Sequence, residues 1–411
     1  MSIEKTKRPV PADFLWGVAI SAHQSEGDNT NSDVWLAEQV QPTLFGEPSG
    51  KACDSYHRYE EDVAITAELG FNCYRFGIEW ARIEPAPGQF SSTELDRYSR
   101  MVDACLERGL APMVTYNHFT VPRWFAERGG FEMTDGADLF ARFAEKATAR
   151  LGDRLAAAST FNEANIQRLL SLLLHTPESK PAIDAMLAAC ARASGAPRFS
   201  TLLFADIDKT EPVLLDAHRK AMAAIKAGPG DFPVGLTLTM QDVQGIGEGN
   251  LAAYVSDQLY GPWLDEAVKA DFIGVQTYTR VQIGPHGRID PPAGTELTAA
   301  GYEFYPQALG GTIRLAARSG RPVYVTESGI ATSDDARRIA YIDVALQEVR
   351  ACLDEGIDVR SYIHWSLLDN FEWTSGYAQH FGLVEVDFKT FERKPKPSGR
   401  HLGAIARSGH I

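Results

Sequence analysis

The 411-residue sequence predicts an α/β fold, a closed (β/α)8 TIM barrel with enlarged loops between strands and helices. Eight short apolar runs rich in β-branched or aromatic residues recur along the chain, and stretches of helical period separate them. Strands that are apolar throughout, rather than alternating, are typical of a parallel sheet covered on both faces. A doubly wound open sheet fits the same pattern and is the structural alternative.

The predicted strands are spaced so that a helix fits between most of them. They are FLWGVAIS (14–21), CYRFGIEW (73–80), APMVTYNH (111–118), AASTFNE (157–163), VGLTLTM (234–240), FIGVQTY (272–278), PVYVTES (322–328) and RSYIHWSL (360–367). Three intervening segments have helical period and end at a glycine, which the position after a helix favours. They are residues 57–70, 94–109 and 334–356. The Ala-rich piece 181–197 predicts a further helix or a mobile cover.

A barrel of this class averages about 250 residues, so the chain has room for large loop insertions. Its length alone would allow two or three domains. Because no internal repeat and no Gly/Ser-rich or Pro-rich linker interrupts the pattern, we predict one catalytic domain over residues 1–411.

Composition excludes several classes of partner. The formal net charge of -14 argues against nucleic acid, and the short basic run at 393–400 is broken by prolines. Five cysteines without CxxC spacing predict reduced thiols. The apolar run 14–20 contains Gly17 and predicts a strand rather than a signal peptide, and no run is long enough to span a membrane. We therefore predict a cytoplasmic protein, with its oligomeric state left open.

Two carboxylates stand at the ends of predicted strands. Glu163 closes the fourth strand and Glu327 the seventh, and barrel active sites form at these strand ends. Strands four and seven lie across the mouth from each other, so the two carboxylates can converge on one substrate. Such a pair suits hydrolysis of a glycosidic bond, with retention or inversion set by the distance between the carboxyl groups. For either Glu alone, a salt-bridged structural residue is the simpler interpretation.

Five motifs in order resemble those of glycoside hydrolase family 1, the retaining β-glucosidases and their relatives. They are SAHQSEG (21–27), YRFGIEW (74–80), TFNEAN (160–165), VYVTESG (323–329) and WSLLDNFEW (365–373). The likeness extends from about residue 11 to 400 and is weakest across 167–212. It implies the same barrel and double-displacement hydrolysis of terminal non-reducing β-D-glycosyl residues from a small β-glycoside or oligosaccharide. It implies no metal and no organic cofactor.

The resemblance also implies roles for individual residues. Glu163 is the general acid/base and Glu327 the nucleophile. Arg75 and Tyr278 flank the nucleophile, where they would lower the pKa of Glu327 while the proton stays on Glu163. Asn162 would hold the sugar 2-hydroxyl, with an Asx-type turn at the strand end as the structural alternative.

The remaining matched residues are expected to bind the sugar, together with Asn162 and Tyr278. They are Gln24, His118, Trp365, Glu372, Trp373 and Phe381. A strand-end histidine or a tryptophan is often purely structural, and core packing is the alternative for Trp365. Family members that hydrolyse 6-phosphoglycosides lack a glutamate at the position of Glu372, so a neutral gluco- or galacto-type sugar is expected.

The sequence departs from the family pattern at several points. The usual Pro, Asn, Asn, Tyr and Arg are replaced by Ala164, Gln276, Ser328, His23 and His380. The segment after the acid/base motif, IQRLLSLLLHTPESKPAIDAM (166–186), lacks the usual Gly-Tyr and Pro-Gly pieces. Because leaving-group subsites are built from such loops, the aglycone stays open.

The favoured function is therefore a β-glucosidase, with β-galactosidase or β-fucosidase side activity left open. Two alternatives keep the barrel: a transglycosidase whose acceptor site excludes water, and a carbohydrate-binding pseudoenzyme. The pseudoenzyme is disfavoured because both glutamates are present. An endo-acting glycanase of another barrel family does not suit the motif WSLLDNFEW.

Overall fold

The computed structural model describes residues 8–174, 176 and 179–411. Eight parallel strands, numbered β1 to β8 in chain order, form a closed barrel. They are Leu15–Ile20, Cys73–Gly77, Ala111–Asn117, Ala157–Phe161, Val234–Thr239, Phe272–Thr277, Val323–Ser328 and Val359–Trp365. Every one overlaps a predicted run. Because β1 pairs with both β2 and β8, the barrel is confirmed and the open-sheet alternative is wrong.

One main helix follows each strand, and we number these α1 to α8. They are Ser55–Leu69, Ser92–Glu107, Gly136–Leu151, Ile207–Ala227, Ala252–Ala267, Ala308–Ala317, Asp335–Asp354 and Pro397–Ser408. The three predicted helices correspond to α1, α2 and α7. No helix of the described part of the chain has the length and apolar character needed to cross a membrane.

Shorter elements lie mostly in the loops. The α-helices among them are Ala22–Ser25, Asp33–Gln39, Trp80–Ile83, Arg123–Arg128, Ile166–Leu169 and Ser179–Ser194. A π-helical turn occupies Leu170–Leu174, and 3-10 turns occupy Gly130–Glu132, Gly152–Arg154 and Trp373–Ser375. Small sheets are formed by Asp242–Gly245 with Arg280–Gly284 and Gly287–Ile289, and by Val384–Val386 with Arg393–Pro395.

Local sequence explains where the main helices begin and end. The Ser91 hydroxyl accepts a hydrogen bond from the Glu94 amide at the start of α2, and Asp334 accepts two amides at the start of α7. After α1, Gly70 adopts φ +103°, a conformation that glycine reaches without steric cost. The Ala-rich piece predicted as a helix or mobile cover forms the helix Ser179–Ser194.

The core has two layers. A smaller cluster fills the barrel interior and includes Ala19, Cys73, Met113, Ala157, Phe272 and Ile363. A larger cluster packs the outer faces of the strands against the helices. Many of these interior residues stand near the beginnings of their strands. The polar residues at the opposite ends of the strands therefore lie above a close-packed apolar layer.

Strand β7 contains a bulge just before its end. Against β6, Val325 is opposite Val275 and Glu327 is opposite Gln276, so Thr326 is an extra residue in β7. In a regular strand, Glu327 would share a face with Val325, which belongs to the outer core layer. The extra residue turns Glu327 to the face of Gln276, toward the barrel mouth, as bulges near active sites commonly do.

Candidate active site

A cavity of about 570 Å³ opens at the C-terminal ends of the barrel strands. Ten residues predicted from the sequence line it: Gln24, His118, Asn162, Glu163, Tyr278, Glu327, Trp365, Glu372, Trp373 and Phe381. The eleventh, Arg75, is buried and contacts Glu327. The structure thus brings every predicted site residue together.

Glu327 is held by two short hydrogen bonds. The Arg75 guanidinium donates to Oε1 at 2.6 Å, and the Tyr278 phenol donates to Oε2 at 2.6 Å. Both partners favour the ionised carboxylate, because charge-assisted bonds of this kind are stronger than neutral ones. The two bonds also fix the orientation of the carboxylate.

Glu163 lies on a strained turn rather than in β4. The strand ends at Phe161, two residues earlier than predicted, and Glu163 adopts φ +43°, which costs about 1–3 kcal/mol in a residue with a side chain. The Thr237 hydroxyl accepts from the Glu163 amide at 3.3 Å. Asn165 exchanges hydrogen bonds at 3.0 Å with the main chain of Thr239. Contacts to β5 therefore hold the turn in place.

The two glutamates differ in their affinity for a proton. Burial raises the pKa of Glu163 well above its usual range, and the charge on Glu327 raises it further. Burial also raises the pKa of Glu327, but Arg75 and Tyr278 oppose that effect. The predicted lowering by these two donors is therefore present but does not outweigh burial. Because Glu163 has the more strongly raised pKa, it holds the proton while Glu327 ionises.

Asn162 is oriented by two donors. Its Oδ1 accepts from Arg75 at 2.6 Å and from Gln276 Nε2 at 2.7 Å. With the carbonyl oxygen occupied, the side-chain amide nitrogen is the group left to meet a ligand. Gln276, where the family usually has asparagine, thus helps to fix the orientation of the Asn162 side chain through this hydrogen bond.

Gln24 and Glu372 form a second polar group across the cavity. Gln24 Nε2 donates to the Phe371 carbonyl at 2.9 Å and to Glu372 Oε2 at 3.2 Å. Burial, and then the charge on Glu327, raise the pKa of Glu372 to about 8. At pH 7 the neutral carboxyl predominates, so charge repulsion is a weaker reason to exclude a phosphorylated sugar than the sequence suggested.

Stacked rings form one wall of the cavity. The His118 ring lies 5.5 Å from Trp365 at 25° and 6.3 Å from Trp373 at 16°. Burial, and then the charge of Arg75, hold the pKa of His118 well below its usual range, so the imidazole is neutral. Phe381 meets the Tyr278 ring edge to face at 5.8 Å. Flat apolar faces beside polar groups suit a pyranose ring.

Sequence reasoning missed some residues of the site. Thr237 and Asn165 hold the turn of Glu163. Asn165 closes the motif TFNEAN, but the resemblance implies no role for it there, and nothing in the local pattern marks Thr237. Gln241 and Tyr302 also line the cavity. Gln241 comes directly after the predicted strand 234–240, so the rule of polar residues at strand ends could have found it. Tyr302 lies in a long loop and carries no such signal.

Comparisons with known proteins agree with this geometry. The model of the family described as "Glycosyl hydrolase family 1" matches residues 6–205 and 269–410. The Beta-glucosidase of Agrobacterium sp. is 31% identical, with 96% of this chain and 95% of the relative covered. Beta-glucosidase A of Acetivibrio thermocellus is 30% identical, with 96% and 97% covered. The solved apo structure of "a beta-glucosidase 1317" is 47% identical, with a TM-score of 0.94 and 96% and 98% covered.

The family match breaks over residues 206–268, which contain α4, β5 and α5. The start of this gap overlaps the end of the stretch 167–212, where the sequence predicts the weakest likeness.

Proposed function

The chain belongs to glycosyl hydrolase family 1, and from that premise we propose that Glu163 and Glu327 divide the cleavage of a β-glycosidic bond between them. The protein is a retaining β-glycosidase of the β-glucosidase type. Glu327 is the nucleophile and Glu163 the general acid/base. The observation that carries the assignment is the pairing of Glu327 with Arg75 and Tyr278, while Glu163 forms no ion pair with any described residue.

In the first step, a carboxylate oxygen of Glu327 attacks the anomeric carbon, and Glu163 donates its proton to the departing oxygen. A covalent glycosyl-enzyme forms and the aglycone leaves as an alcohol. The ester at Glu327 no longer carries charge, so its contribution to the raised pKa of Glu163 disappears and the effect of burial remains. Glu163 then accepts a proton from water, which attacks the anomeric carbon and releases the sugar with its configuration retained.

Binding of the glycone is assigned to the polar groups around the two carboxylates. Asn162, oriented by Arg75 and Gln276, donates its amide to the 2-hydroxyl. Gln24, His118, Glu372 and Trp373 bind the other hydroxyls. The Trp365 face packs against the ring, and Phe381 closes the side beside Tyr278.

The stereochemistry of the released sugar tests the mechanism. The intact enzyme is mixed with an aryl β-glucoside, and proton NMR follows the anomer that appears first. We expect β-glucose, which then mutarotates to the equilibrium mixture. Initial release of α-glucose would show a single displacement and contradict the role of Glu327. A panel of aryl β-glucosides, β-galactosides and β-fucosides ranks the glycones in the same assay.

We also propose that residues 1–411 form one catalytic domain in the cytoplasm. Helix α8 packs on α1 and α7, and an isolated bridge joins Pro9 to His410, so the two ends of the described chain meet beside the barrel. All five cysteines are free and buried, which suits a reducing compartment.

A further inference from the structure

One side of the active-site cavity is apolar. Six side chains, which we call the apolar wall, form it: Ile166, Leu169, Leu170, Ile183, Leu203 and Phe204. They come from the turn after Glu163, from the helix Ser179–Ser194 and from the loop before α4. The wall therefore lies next to the group that protonates the leaving oxygen, on the path that an aglycone would take.

Aromatic contacts fix the wall relative to the sugar-binding residues. The Phe204 ring meets Phe45 edge to face at 6.1 Å, and Phe45 stacks on Phe371 at 6.5 Å. Phe371 precedes Glu372 and its carbonyl accepts from Gln24. The apolar and polar halves of the cavity are thus parts of one packed assembly.

The wall offers no partner to a charged aglycone. Among the described lining residues the carboxyl groups are those of Glu163, Glu327 and Glu372, and no lysine or arginine is present. Ser179 and Gln241 also line the cavity and offer hydrogen bonds, but the six wall side chains offer none. Against the wall, each hydroxyl of a second sugar that loses water without a new hydrogen bond opposes binding. An apolar group, in contrast, gains from leaving water there.

A side cavity of about 70 Å³, lined by both apolar and polar residues, adjoins the main cavity. It shares Leu169, Gln241 and Tyr302 with the main cavity, and Leu173, Val281 and Ile289 line it further out. Two arginines also line it: Glu303 binds the Arg280 guanidinium through two hydrogen bonds of 2.8 and 2.7 Å, and Arg288 donates to the Leu173 carbonyl at 2.9 Å. A chain of several carbons therefore has room beyond the first contacts.

We propose that the apolar wall binds an uncharged alkyl or aryl aglycone, in preference to a second sugar. The inference rests on the proposed function, because it assumes that the glycone occupies the polar half beside Glu163 and Glu327. It assigns the specificity for the leaving group, which the sequence left open, to the six residues of the apolar wall.

Calorimetric titration of the intact protein with methyl, butyl and hexyl β-D-thioglucosides tests the wall. In these ligands sulfur replaces the glycosidic oxygen and resists cleavage, so binding is measured apart from turnover. We expect affinity to rise about threefold to fourfold for each added methylene, which over the five methylenes from methyl to hexyl amounts to several hundredfold. Equal affinity for the three alkyl thioglucosides, together with tighter binding of a methyl thiocellobioside than of any of them, would overturn the proposal and indicate a site for a second sugar.

Three variants test whether the wall residues cause the gain in affinity from the alkyl chain. Leu170→Ser and Phe204→Ser should each weaken hexyl thioglucoside binding about tenfold and leave the methyl compound unchanged. Leu172→Ser is the matched control, because Leu172 lies in the same turn as Leu170 but is exposed and does not line the cavity. Equal loss for both ligands in both wall variants, or the same selective loss in the control, would overturn the assignment.

Hydrolysis of an aryl β-glucoside, measured on the same samples, separates the two proposals. Turnover with a flat binding series contradicts the wall and leaves the proposed function standing. A steep binding series without turnover supports the wall and contradicts the double displacement.

Discussion

The ends of β4 and β7 carry the same side chain in different surroundings. Glu327 stands within its strand, where a bulge turns it inward and Arg75 and Tyr278 each donate to it. Glu163 stands beyond its strand on a left-handed turn, and no described cation pairs with it. Both are buried, so burial alone does not distinguish them. Because only Glu327 has Arg75 and Tyr278 as donors, Glu327 carries the charge and Glu163 holds the proton.

Removing Glu327, the proposed nucleophile, should have the largest effect on activity. In Glu327→Ala no group attacks the anomeric carbon, and we expect kcat/KM for an aryl β-glucoside to fall by roughly 10⁴-fold or more. Azide should occupy the vacated space and restore part of the activity, giving an α-glycosyl azide that NMR identifies. Substitution of the exposed Glu385 by Ala is the control. Wild-type activity in Glu327→Ala would remove Glu327 from the mechanism.

Removing the acid should give a loss that depends on the leaving group. For Glu163→Ala we expect kcat/KM to fall about 10²- to 10⁴-fold with an alkyl glucoside, because the departing alkoxide needs a proton. A dinitrophenyl glucoside needs no such help, and its glycosylation rate in a stopped-flow burst should change little. If both substrates slowed equally, Glu163 would not be the proton donor.

Removing one of the two hydrogen bonds to Glu327 should shift the pH dependence of kcat/KM. Tyr278→Phe removes a charge-assisted hydrogen bond that contributes about 1.5–3 kcal/mol, and the pKa of Glu327 should rise. Since Glu327 must be ionised to attack, activity is lost as pH falls through that pKa, so the acid limb of kcat/KM should move up by about one to two pH units. The alkaline limb, set by proton loss from Glu163, should move much less.

Tyr302→Phe provides the control for that measurement. Tyr302 lines the same cavity but makes no hydrogen bond to Glu327. Its pH profile should match the wild type. An unshifted acid limb in Tyr278→Phe would mean that the phenol does not stabilise the charged nucleophile.

Much of the fold could be predicted because its signals are local. Buried strands read as continuous apolar runs, and glycines such as Gly70 mark helix ends through a backbone conformation that few other residues adopt. The site residues could be predicted because five motifs stand at strand ends in a known order. The apolar wall could not, because its members come from separate segments without a shared period.

The sequence by itself determined the eight strands, the polar residues that follow them and the two glutamates among these, since each depends on short-range pattern. Only the tertiary structure decided how those glutamates differ. One extra residue in β7 turned Glu327 toward Arg75, which lies 252 positions away in the chain. The affinity of a carboxyl for its proton depends on burial and on the charges beside it, and both arise only when distant segments pack together.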